Sequence, residues 1–168
     1  MKIRRKQRIT GFLVIVWMSV IFAFSAQPGA ESGRVSGGVA YRIISTTNRI
    51  FGMELSVSEL LRGVQILDYP LRKGAHMTEY AILGALTAAF FASMGRDGKR
   101  RYVPALLTAA AYAVTDEIHQ LFVPGRTGKL SDVCIDTVGA AVGLLGVYLL
   151  GKIVRKHCEK RRRPLQYK

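Results

Sequence analysis

The chain has 168 residues, 49% of them hydrophobic, and a net charge of +14. That length suits one domain, residues 1–168, and a composition both apolar and basic leaves two main classes, a nucleic-acid binder or a membrane protein. The distribution excludes the first: apolar residues gather in four blocks near the ~20 residues that cross a bilayer, and the basic residues sit mostly in the gaps. No nucleic-acid partner is therefore expected.

Residues 1–8, MKIRRKQR, form a basic head. Residues 9–26 follow as the first predicted span, apolar apart from Thr10, Ser19 and Ser25. A basic head before an apolar run is also the pattern of a cleaved signal peptide, but this run exceeds a signal core, so a retained membrane helix is the preferred reading. Trp17 lies mid-span and is read as a packing residue.

Residues 28–72 form a long connection of mixed character. Ser32, Gly33, Ser36, Gly37 and Gly38 predict a loop, whereas Val35, Val39, Ile43 and Ile50 recur at near-helical spacing. Ser56-Val57-Ser58-Glu59 is a capping box, in which Ser56 and Glu59 satisfy each other's free N–H groups. Behind it Val57, Leu60, Leu61, Val64 and Leu67 make one apolar stripe. Such amphipathic helices are expected to lie in the membrane interface or to fold over the bundle as a cap. Asp68-Tyr69-Pro70 predicts the end of this part, because proline disfavours helix for the residue before it.

The second span is predicted over 73–94, with Lys73, His76 and Glu79 in its first two turns. After a basic turn, GRDGKRR, the third covers 102–122 and turns polar at its end, with Asp116, Glu117, His119 and Gln120. A Pro124-Gly125-Arg126 turn leads to the fourth, 132–154, where Ser131 is the expected N-cap. The tail, 155–168, is basic and is expected to be disordered past Lys160. Cys134 and Cys158 lie in unlike surroundings without metal spacing and are read as free thiols. The fold expected is an all-α membrane protein, an antiparallel up-down bundle of four transmembrane helices with amphipathic interfacial helices between the first and second.

Lys and Arg counts set orientation. The head, the 96–101 turn and the stretch from Lys152 onward hold seventeen, against eight elsewhere, which predicts a multi-pass protein with both termini cytoplasmic. The topology then brings Ser25 and Gln27, Lys73 to Tyr80, Asp116 to Gln120, Arg126, and Asp132 and Asp136 to the outer end of the bundle. Each set has members three or four residues apart and so shares a helical face. Charges this close to hydrocarbon are expensive and point to a functional site. The fourth-helix acids continue into Gly139 and Gly143, a GxxxG pair read as packing within the bundle. The five acids of the cluster exceed Lys73 and Arg126 by three, so the site calls for protonated carboxyls, a charged histidine, or a cation or basic ligand.

These residues also carry a resemblance. Lys73-x-x-His76-x-x-Glu79-Tyr80-x-x-Leu83-Gly84, Asp116-Glu117-x-x-Gln120-x-Phe122-x-Pro124-Gly125-Arg126, Ser131-Asp132-x-x-x-Asp136-x-x-Gly139 and Phe24-Ser25-x-Gln27-Pro28 together resemble the helix signatures of the VanZ-like family. The resemblance spans all four apolar blocks and implies a bacterial cell-membrane protein acting at the outer face of the envelope. The name-giving member of that family is linked to resistance to the glycopeptide teicoplanin.

Three functions compete at this point. The polar pocket binds a lipid headgroup, a lipid-linked cell-wall precursor or a glycopeptide. Alternatively His76, Glu79, Glu117 and Asp136 hold a divalent cation in a membrane enzyme acting on a lipid-linked substrate, or the cluster is a purely structural ion network. No HExxH, GxSxG or Cys–His pair favours an enzyme, and no cofactor other than such a cation is expected.

Overall fold

The computed structural model describes residues 2–162, and within them the chain forms five helices and no strand. These are α1 (Lys2–Ser25), α2 (Gly29–Phe51), α3 (Val57–Ser93), α4 (Lys99–Gln120) and α5 (Leu130–Arg162). Helix α3 is the hub, packing against each of the other four. It has 37 residues, about 55 Å at the α-helical rise.

The side chains fix the direction of each helix. Thr10 meets Ser93 and Trp17 donates to the Glu79 carbonyl at 2.9 Å, so α1 runs antiparallel to α3. Thr87 of α3 approaches the Ala105 carbonyl, and Tyr80 approaches the Tyr112 ring, so α4 also opposes α3. Lys73 pairs with Asp132 and Met77 faces Gly139, so α5 runs parallel to α3. The result is an up-down arrangement of α1, the second half of α3, α4 and α5.

Small residues make the packing close. A Cβ on Gly84 would stand 2.6 Å from the Ala140 carbonyl oxygen, one on Gly139 would stand 2.5 Å from that of Met77, and one on Gly143 would overlap that of Ala81. The GxxxG face of α5 therefore packs inside the bundle against α3, as expected for small residues at helix crossings. The central core is Val14, Ile21, Tyr80, Leu83, Ala109, Ala113 and Ala140. Trp17 is part of this packing.

The connection departs from expectation. Residues 32–38 are not a loop, because α2 starts directly after Pro28 and runs unbroken to Gly52, which closes it in the left-handed conformation at φ 58°. Pro28 suits the start of a helix, and the Ser36 hydroxyl, 3.0 Å from the Ser32 carbonyl, also lies against Asp68 of α3. The capping box is present, with Ser56 N–H donating to Glu59 at 2.9 Å. The Ser56 side chain and backbone hold the Glu59 carboxyl below its ordinary pKa.

The predicted break at Asp68-Tyr69-Pro70 is absent, and α3 passes through Pro70. Proline costs a helix one N–H and a ring clash, but here the turn is braced on both sides. Arg72 pairs with Asp68 at 2.6 Å across the proline, and Asp68 also accepts from Ser36 of α2. Helix α2 packs on α3 and on no other helix among the described residues. It does not cap the bundle, so the α2–α3 segment is a helical hairpin beside it. The apolar stripe is split accordingly, with Leu60, Val64 and Leu67 half-buried and Val57 and Leu61 exposed.

Helix α5 starts at Leu130, so Ser131 is inside it and is not its N-cap. At the other end α5 continues through Lys160 to Arg162, and the expectation for the rest of the tail falls on residues 163–168, outside the described residues. Cys134 and Cys158 are unpaired and exposed. Two helices are long and apolar enough to cross a membrane, Ile3–Ser25 and Leu130–Glu159. Helices α3 and α4 do not meet that test, since they carry the polar cluster.

Candidate functional site

The antiparallel packing brings the end of α1, the middle of α3, the end of α4 and the start of α5 to one end of the bundle. The polar residues predicted to share one end lie there and, apart from His119, fall into two groups with different surroundings.

The first group is buried and ties helices together. Gln120 donates to the Ser25 hydroxyl at 2.9 Å and to Asp116 at 3.3 Å, bonding α4 to the end of α1. Ser25, Tyr80, Asp116, Glu117, Gln120 and Asp136 are all buried, with Asp116 and Asp136 each 2% exposed. Glu117 accepts from the Lys129 N–H at 2.7 Å. Lys129 immediately precedes α5 and its carbonyl accepts from Asp132 N–H at 2.9 Å, so Glu117 supplies negative charge where the α5 dipole is positive. Lys73 meets Asp132 at 2.5 Å, closing α3 on α5. Spacing alone could not assign the capping role to Glu117, because its partner is a backbone group twelve residues away.

The second group lines a cavity of about 650 Å³ between the end of α1, the first turns of α2 and the middle of α3. Its apolar wall includes Phe24, Val35, Val39 and Leu71, and its polar wall Gln27, Arg72, His76, Glu79 and Arg126. His76 Nδ1 lies 3.5 Å from Glu79 Oε2, one turn along α3. Both atoms are buried without a hydrogen-bond partner, as are Asp116 Oδ1 and the Tyr80 hydroxyl. Buried polar atoms in native proteins nearly always have partners, so this end of the bundle has hydrogen-bonding capacity to spare.

Arg126 is held in place by the end of α1. Its Nε donates to the Gln27 carbonyl at 3.1 Å and its Nη2 reaches the Phe24 carbonyl at 3.5 Å, at the negative end of the α1 dipole. The turn that carries it is fixed as well. Gly29 N–H donates to the Pro124 carbonyl at 3.0 Å, and a Cβ on Gly29 would overlap the Gly125 carbonyl oxygen. Burial, and then the Arg72 charge, lower the Arg126 pKa from its ordinary value, although guanidinium stays protonated in proteins.

Sequence reasoning did not place Arg72, Asp68 or Ser36 in the site, and it named Phe24 only within the first-helix signature. The signal for Asp68 and Arg72 was an i,i+4 charge pair across a proline, which is weak without knowing that α3 continues through it. His119 packs against Phe22, ring centroids 4.3 Å apart and the planes tilted by 31°, and lies outside both groups. Among the described residues no three His, Cys, Asp or Glu side chains stand close enough to share a metal ion. The divalent-cation reading of His76, Glu79, Glu117 and Asp136 therefore gains nothing from this geometry.

No curated protein and no solved structure matches the chain. The VanZ/LLP1 family model matches residues 10–151, which include both groups of polar residues and all four signatures, and the chain belongs to that family.

Proposed function

We propose that the chain crosses the bacterial membrane four times with both termini cytoplasmic, and that the cavity at its polar end binds an anionic, lipid-linked molecule of the envelope. The observation that carries this is the cavity itself. It joins an apolar wall (Phe24, Val35, Val39, Leu71) to a polar wall in which two guanidinium groups, Arg72 and Arg126, outnumber the one carboxyl, Glu79. That pairing fits an amphiphile with a phosphate or carboxylate beside its hydrocarbon, since planar guanidinium groups suit two-point contact with such anions. Arg126 is pre-positioned by the α1 carbonyls, which lowers the ordering cost of binding.

Four crossings are supported by the outward faces of the bundle. Phe12, Ile15, Leu107, Val142, Leu145 and Leu149 are exposed, as side chains that face lipid would be. Of the polar residues in the middle of α3 and the end of α4, Asp116, Glu117 and Gln120 are buried and His76 and Glu79 line the cavity. A role in glycopeptide resistance is the narrower form of the same proposal, with a glycopeptide or a cell-wall precursor as the bound molecule.

The buried group supports a different role for its own members. Ser25, Lys73, Glu117, Gln120 and Asp132 each hold one helix to another, so they shape the site rather than contact its ligand. Binding is tested with purified protein in nanodiscs, titrated with a polyprenyl pyrophosphate and, separately, with teicoplanin. The expected result is saturable polyprenyl pyrophosphate binding that Arg126→Gln and Arg72→Gln each weaken about tenfold, the scale of a lost charge-assisted hydrogen bond. Binding unchanged in both Arg126→Gln and Arg72→Gln would overturn the assignment. A reporter active only in the cytoplasm should give signal after Arg101 and none after Lys129, and the reverse would overturn the topology.

A further inference from the structure

The opposite end of the bundle holds a second cleft, independent of whatever the polar end binds. Helices α1 and α5 do not contact each other among the described residues, because α3 lies between them. Above α3 the gap opens into a cleft of about 480 Å³. Its α3 side is Ala89 and Ala92, whose small side chains leave room there, and Ile9 and Val147 form apolar sides; Lys6, Ile9 and Ala89 are exposed, so the cleft is open at the surface. Thr10 and Ser93 border it with hydroxyls 3.1 Å apart, bonded to each other. Two cations from different helices, Lys6 of α1 and Arg101 of α4, reach the same cleft, and no carboxylate lines it.

Arg101 is pre-organised there. Its guanidinium lies over the Tyr102 ring at 4.5 Å and Nη2 donates to the Tyr102 hydroxyl at 2.6 Å, while Nε is buried without a partner. The charge at this end is strongly positive. Asp97 and Glu159 are the only acids of residues 2–8, 96–101 and 152–159, against twelve Lys and Arg residues.

The geometry points to a phospholipid site in this cleft: an anionic glycerophospholipid places its phosphate between Lys6 and Arg101 and its acyl chain on the alanine side of α3. A basic pocket between helices, open to hydrocarbon, is the arrangement that selects anionic over zwitterionic headgroups. The excess positive charge of this end supplies long-range attraction to the anionic leaflet, and Arg101 supplies directed hydrogen bonds to the diester. One lipid held this way would bridge α1 and α5, which otherwise share no contact.

The test uses the full chain, purified and stripped of lipid in detergent, with native mass spectrometry and thermal unfolding in added phosphatidylglycerol, phosphatidylcholine or inorganic phosphate. Expected are one retained phosphatidylglycerol, a raised unfolding midpoint with that lipid alone, and retention reduced about tenfold by Arg101→Gln, the scale of a lost hydrogen bond to a charged group. Ala92→Leu, which fills the α3 side of the cleft without touching charge, should reduce retention as well. Arg155→Gln, on the exposed surface of α5 at the same end, should not. Equal loss in Arg155→Gln and Arg101→Gln would mean unspecific attraction and would overturn the site. So would equal stabilisation by phosphatidylcholine or by inorganic phosphate, or full retention in Ala92→Leu.

Discussion

The Lys73–Asp132 pair offers the sharpest test of whether the polar residues act together. The two groups approach to 2.5 Å with side chains 18% and 15% exposed, so both are largely withdrawn from water. If they act independently, Lys73 snorkels to headgroups and Asp132 answers only the α5 dipole, worth about 0.3–1 kcal/mol. If they are a desolvated pair, removing one partner strands the other, at about 3–5 kcal/mol for a fully buried pair. Their residual exposure places the expected loss near the bottom of that range, about 3 kcal/mol for Lys73→Met or Asp132→Asn alone. For a chain of this size that is a fall of about 6–12 °C in the unfolding midpoint. The double variant strands no charge and should lose little more than either single one, a coupling of about 2–3 kcal/mol. The measurement is a double-mutant cycle on purified protein in one detergent, read by thermal unfolding. Additive single effects, each below about 1 kcal/mol, would refute the paired reading and return both residues to independent roles.

Gly143→Val should separate α5 from α3, because even a Cβ overlaps the Ala81 carbonyl; loss of the folded protein from the membrane, or at least 1–3 kcal/mol of destabilisation, is the expected overpacking cost and is checked by thermal unfolding. Glu117→Leu should leave the Lys129 N–H unpaired and cost about 1–3 kcal/mol, with Glu117→Gln retaining most of the stability because its amide oxygen still accepts; unfolding midpoints of the two variants distinguish a cap from a charge requirement.

Much of this architecture was legible in the residues because it depends on local rules. The capping box at Ser56 and Glu59 was readable, since its partners are three residues apart. The inward GxxxG face of α5 was readable because it lies on the same stripe as Asp132 and Asp136, and acids next to hydrocarbon must turn inside. Family membership was readable from motifs spread over four blocks. The convergence of four polar sets on one end needed only alternating helix directions.

What remained hidden depended on partners distant in sequence. Pro70 predicts a helix end, and α3 continues because Arg72 and Ser36 brace Asp68, a combination that exists only once α2 folds back on α3. The apolar stripe behind the capping box was visible, but its use against α2 rather than over the bundle was not. Most of all, the sequence determined which polar residues share an end, while the tertiary structure decided which are structural ties and which line a cavity. Side-chain type and spacing place a residue on a face. Whether Glu117 meets a backbone N–H or Arg126 a helix-end carbonyl is decided by where another segment's main chain passes, and the main chain has no residue-specific signature to read.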